Sequence, residues 1–156
     1  MATIDNIEMD RARRMALAGA EIGRGALAFR TALAEFLVSE PCSDLSVQFR
    51  NGSSAVAEDF SLSTPHGVVD AVFDHALKNG HLVGRYRFFV TDRVPSSVNA
   101  AKTVMTILVN SNPMLTFDPL EPFEWPLNMG IRNTEIAMGT FILSLLFHQQ
   151  AALAAY

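Results

Sequence analysis

The stretch TPHGVVDAVFDHALKNGH, residues 64–81, decides how the chain is divided between helix and sheet. Ser63 or Thr64 can cap a helix, and Pro65 suits its first turn. Asn79-Gly80 suits a left-handed exit at the other end. At about 100° of rotation per residue, the apolar side chains of such a helix fall on one face. Those side chains are Val69, Val72, Phe73, Ala76 and Leu77. The pattern predicts a middle helix here.

The polar border of this predicted helix carries two candidate catalytic residues, His66 and Asp70. Four residues apart on a helix, their side chains would lie about 5–6 Å apart. A carboxylate at that distance can orient an imidazole that acts as a general base, or share a metal ion with it. The nearby hydroxyls of Ser61, Ser63 and Thr64 match no nucleophile motif. The pair therefore predicts either a small hydrolytic or metal-assisted enzyme or a solvated helix border without chemistry. No metal site is completed by spacing, and no cofactor is predicted.

Strands are predicted on both sides of the middle helix. Residues 45–50 alternate between apolar and polar, and the turn signal Asn51-Gly52 predicts a hairpin with a second strand at about 55–62. After the middle helix, residues 85–91 alternate in the same way. Residues 103–109 are apolar on both faces, which predicts a central strand.

Helices are predicted at both ends of the chain. The first covers about residues 5–39, and the last begins at Asn133 or Thr134. The last helix is apolar nearly all round over residues 136–147, which predicts burial in the core or in a subunit interface. The predicted fold is therefore a single α+β domain over residues 1–156. It has about four mainly antiparallel strands and the order α-β-β-α-β-β-α.

The segment PMLTFDPLEPFEWP, residues 113–126, holds four prolines and cannot form a long strand or helix. Phe117, Phe123 and Trp125 are the candidate partner-binding residues, because aromatic side chains on a stiff loop contact a partner at low entropic cost. The same three rings could instead cover an edge of the core.

Composition limits the classes of function. Hydrophobic residues make up 49% of the chain and charged residues 18%, which favours a dense core or a homodimer interface. A net charge of −4 argues against general nucleic-acid binding. The one basic cluster, at residues 11–14, follows Asp5, Glu8 and Asp10 and is interpreted as a solvated first part of the helix. No segment has the ~18 uninterrupted apolar residues of a membrane span, and the single cysteine, Cys42, fits a cytoplasmic protein.

These observations favour a cytoplasmic, non-enzymatic binding protein that acts as a homodimer. Its ligand would be a protein bound at residues 113–126 or a small apolar ligand held between the last helix and the sheet, beside Phe141 and Leu145. The alternative is the enzyme centred on His66 and Asp70.

Overall fold

The computed structural model describes residues 3–52, 54–91 and 101–156. In that part of the chain, two α-helices enclose a run of seven strands in sequence, with a short 3-10 helix at Glu40–Leu45. The helices are α1, Asn6–Leu37, and α2, Ile131–Ala151. The strands are β1 (Gln48–Asn51), β2 (Phe60–Thr64), β3 (Gly67–Lys78), β4 (His81–Thr91), β5 (Ala101–Val109), β6 (Met114–Thr116) and β7 (Trp125–Pro126).

The seven strands form one antiparallel sheet in which each strand pairs with its neighbours in sequence. The sheet curls into a half-barrel around the two helices. Five aromatic rings fill the centre of the core, with neighbouring ring centroids 5.1 to 6.3 Å apart. The rings belong to Phe29, Phe60, Tyr86, Phe88 and Phe141. The two helices and the sheet therefore share a single core.

The predicted middle helix is wrong, because residues 67–78 form strand β3. Val69 and Ala71 point into the core, whereas Asp70 and Asp74 lie on the other face of the sheet. A spacing of four residues fits a helix with a period of 3.6 and also a strand with a period of two. Valines, which favour strands, occupy three positions of this segment.

The turns at both ends of β3 also explain why this segment was wrongly predicted as a helix. Pro65 and His66 form a two-residue loop between β2 and β3. Asn79 and Gly80 form the next one, with φ angles of +51° and +78°, as the type I′ hairpin turn requires. The Asn-Gly pair that suggested a helix exit is thus a hairpin turn.

The predicted four-strand sheet and the order α-β-β-α-β-β-α are wrong as well, although the fold class is α+β. The strands predicted at 85–91 and 103–109 are present as β4 and β5. The first hairpin is looser than predicted, since β1 ends at Asn51 and β2 begins only at Phe60. The proline-rich segment contributes the two short strands β6 and β7 at the sheet edge.

Neither helix has the length and continuous apolar character needed to cross a membrane, over the residues described.

Candidate functional site

His66 and Asp70 line one cavity of roughly 610 Å³, together with Lys102 and the end of the chain after α2. His66 lies in the β2–β3 turn, with its Nε2 atom 3.1 Å from Nε2 of Gln150 on α2. Asp70 accepts a hydrogen bond from Ser61 Oγ at 2.7 Å. Four residues of extended chain span about 13 Å, more than twice the spacing predicted for a helix. The structure places both residues beside one cavity, but their hydrogen bonds join them to other partners.

Other charged groups lie on the same sheet face as Asp70. Asp74 accepts hydrogen bonds from Arg85 Nε at 2.8 Å and Nη2 at 2.6 Å, and Arg87 lies at 3.0 Å. The hydrogen bond from Arg85 lowers the pKa of Asp74 below its ordinary value. Asp74 is therefore held in an ion network. Among the described residues, His, Cys, Asp and Glu side chains form no group of three placed to hold a metal ion.

The three aromatic residues of the proline-rich segment separate into two locations. Phe117 stacks on Trp125, with the ring centroids 5.4 Å apart, and contacts Phe141 of the core at 5.8 Å. These two rings cover the edge of the core. Phe123 lies elsewhere, with Lys78 Nζ 5.8 Å from its ring centroid.

Lys78 fixes the loop that carries Phe123. Its Nζ donates to the carbonyl oxygens of Pro119 at 2.5 Å and Glu121 at 2.7 Å. The loop is therefore fastened to the end of β3, and Phe123 has a defined position there.

Phe123 forms part of a groove that the sequence did not reveal, here called the basic groove. It encloses roughly 570 Å³ between the first turns of α1 and two sheet turns, Asn79-Gly80 and residues 110–112. Arg11 and Arg14 come from α1, and His81 follows the first of these turns. The arginine cluster was visible in the sequence, but its proximity to these turns depends on the fold.

The second exposed feature is an apolar stripe on α2, here called the α2 face. Three large side chains are more than half exposed, Ile136 at 51%, Leu143 at 58% and Phe147 at 66%. Thr140 lies among them, and a shallow depression of roughly 370 Å³ lies beside Thr140, Leu143 and Phe147. The opposite side of α2 packs in the core. The apolar side chains of this helix therefore form two separate surfaces, one buried in the core and one exposed.

The interior position considered for a small apolar ligand is occupied by side chains. Phe141 is 0% exposed and Leu145 is 1% exposed. The ring of Phe141 contacts those of Phe29 at 5.3 Å and Phe88 at 5.1 Å. A ligand there would have to displace packed aromatic rings.

No protein-family model, curated protein or solved structure matches this chain.

Proposed function

We propose that this protein is a non-enzymatic binding protein that acts as a homodimer through the α2 face. The observation that carries the proposal is the exposure of Ile136, Leu143 and Phe147 on one helical stripe. Together with Thr140 they lie within about 60° of one another around the helix axis. Several large apolar side chains exposed on one side of a helix are typical of interaction surfaces.

The spacing of the stripe supports a second copy of the chain as the partner. The residues of the stripe are spaced four, three and four apart, so their pattern is the same when read in either direction. In an antiparallel pair of α2 helices, Ile136 would face Phe147 of the partner subunit, and Thr140 would face Leu143 of the partner subunit. Such a twofold arrangement buries the same patch on both subunits.

The polar groups near the stripe are compatible with burial. Thr140 Oγ1 donates a hydrogen bond to the carbonyl oxygen of Ile136 at 2.8 Å, so its hydroxyl is already satisfied within the helix. No charged residue occurs between Ile136 and Phe147. The small residue Ser144 flanks the stripe on one side and allows close approach. Gly139 flanks it on the other side and faces the ring of Phe36 on α1. Within the stripe itself, two copies can therefore pair without burying a charged side chain or the unpaired hydroxyl of Thr140.

The basic groove supports the binding role, because its wall is built on two sheet turns and a fastened loop. Binding sites of this kind are usually formed before the ligand arrives. The contacts of His66 with Gln150 and of Asp70 with Ser61 favour structural roles for both residues. We also propose a cytoplasmic location, which the single cysteine, Cys42, supports because the chain cannot form an intramolecular disulfide.

The dimer is tested by Leu143→Glu, with Leu120→Glu as the matched control. Leu143 is on the α2 face, whereas Leu120 is 91% exposed on the proline-rich loop. A glutamate at position 143 would bring two like charges together in the interface, so we expect it to weaken self-association at least about tenfold. Sedimentation equilibrium measures this effect, and circular dichroism confirms that both variants fold.

The wild-type protein and Leu120→Glu are expected to sediment at twice the chain mass of 17.1 kDa at micromolar concentration. A wild-type mass of 17.1 kDa throughout that range would contradict the proposal. Equal weakening by both substitutions would show that the α2 face is not the interface.

A further inference from the structure

We infer that the basic groove binds a small organic phosphate. The phosphate site would be the ligand site of the binding protein proposed above, and in that sense it rests on that proposal. Its location on the first turns of α1 and two sheet turns is separate from the α2 face.

The charge of the groove is opposite to that of the whole chain. The chain has 16 acidic and 12 basic residues. Arg11, Arg14 and Lys78 nevertheless line the groove, and no aspartate or glutamate lines it within the part of the chain that the structure describes. Lys78 donates to two carbonyl oxygens, which leaves its positive charge uncompensated by a carboxylate in those contacts. A concave surface with one sign of charge concentrates ligands of the opposite sign.

The donor groups suit a phosphate. Arg11 and Arg14 are three residues apart on α1, so their side chains leave the same face of the helix. A guanidinium group can donate two parallel hydrogen bonds to a phosphate. The amide groups of Asn79 and Asn112, on the two sheet turns, can supply further donors.

The turn opposite the arginines is fixed by its own hydrogen bonds. Asn110 Oδ1 accepts from the backbone N–H of Asn112 at 3.0 Å and of Met114 at 2.9 Å. This side chain therefore closes the loop between β5 and β6. A turn held in this way loses little further entropy when a ligand binds.

The apolar part of the groove indicates that the phosphate is attached to an organic group. Phe123, Leu82 and Val83 contribute to its lining. The ring of Phe123 is held near Lys78, and this arrangement offers an aromatic surface beside a cation. An aromatic phosphate should consequently bind more tightly than inorganic phosphate.

The test uses the full-length protein, with phenyl phosphate, inorganic phosphate and phenol as probes. Binding is measured by isothermal titration calorimetry at low ionic strength, where charge interactions are least screened. Phenyl phosphate is expected to bind saturably, inorganic phosphate more weakly, and phenol least of all. Arg11→Gln and Arg14→Gln should each weaken phenyl phosphate binding at least about fivefold.

Arg13→Gln is the matched control, because it removes the same charge from the same helix and Arg13 is not among the lining residues. It should change the affinity by less than about twofold, since the exposed charge acts only at a distance. Equal weakening of phenyl phosphate binding by all three substitutions would indicate a diffuse charge effect and contradict a defined binding site. The inference would also be overturned if phenyl phosphate did not bind saturably at millimolar concentration. Binding of phenol as tight as that of phenyl phosphate would overturn it too.

The ligand test and the dimer test can fail separately. Leu143→Glu leaves the groove unchanged, so its phenyl phosphate affinity should stay within about twofold of wild type. Saturable binding of phenyl phosphate by a protein that sediments as a monomer would support the phosphate site and contradict the dimer. A dimer that binds no phenyl phosphate would support the dimer and contradict the phosphate site.

Discussion

Phe141→Ala is expected to lower the free energy of unfolding by about 4 kcal/mol. The ring of Phe141 is fully buried on α2 and lies between rings from α1, the sheet and the proline-rich segment. Alanine would leave a cavity that these packed rings can only partly fill. The loss combines the transfer free energy of the removed ring with the cost of the cavity.

Phe147→Ala is the matched control, since it removes the same group from the same helix. Phe147 is 66% exposed on the α2 face, so its removal should cost less than about 1 kcal/mol in the monomer. Chemical denaturation in a Leu143→Glu background compares the two without a contribution from dimerisation. Similar losses for both substitutions would contradict the position of Phe141 in the core.

Gly84→Ala is expected to lower the free energy of unfolding by about 3 kcal/mol. A Cβ atom at Gly84 would lie 2.6 Å from Cγ2 of Ile22, 2.7 Å from Cε2 of Phe73 and 2.8 Å from Cγ1 of Val109. Methyl groups on β-branched side chains cannot rotate away freely. Relief of the overlap with Ile22 would require α1 and the sheet to move apart. Relief of the overlaps with Phe73 and Val109 would require side chains on the neighbouring strands β3 and β5 to shift.

Gly23→Ala is the matched control, because the same substitution at this position is expected to raise the free energy of unfolding. Gly23 lies inside α1, and the nearest atom to an added Cβ is Glu58 Oε1 at 3.4 Å, at the end of a flexible side chain. Alanine should stabilise the helix by up to about 1 kcal/mol. Urea unfolding measures both changes. A stable Gly84→Ala protein would mean that α1 does not approach β4 as closely as the structure shows.

The sequence predicted α1 and β4 because their apolar residues recur with a clear helical or two-residue period. It predicted α2 and β5 from continuous apolar runs of helix and strand length. It failed at β3, where polar residues spaced four apart fit both helix and strand. Valine content and the second Asn-Gly pair favoured the strand. Of the two Asn-Gly pairs, only Asn79-Gly80 forms a two-residue hairpin turn, because β2 begins eight residues after Gly52.

The candidate sites were likewise predicted only in part. Aromatic residues at 113–126 were recognised, but only the fold separates Phe117 and Trp125 at the core edge from Phe123 in the groove. The basic groove joins residues near positions 11–14, 78–83 and 110–112. No local pattern predicts such a meeting, because it depends on how α1 crosses the sheet turns.

The antiparallel pairing of α2 is tested most directly by single cysteines introduced into a Cys42→Ser background. In the proposed dimer, Ser144 and its copy are offset by only about 8 Å along the helix axis, whereas Arg132 and its copy are offset by about 28 Å. A short thiol-specific cross-linker should therefore join two Ser144→Cys chains and leave Arg132→Cys chains unlinked. Efficient linkage at position 132, or none at position 144 at micromolar concentration, would contradict the antiparallel α2 homodimer.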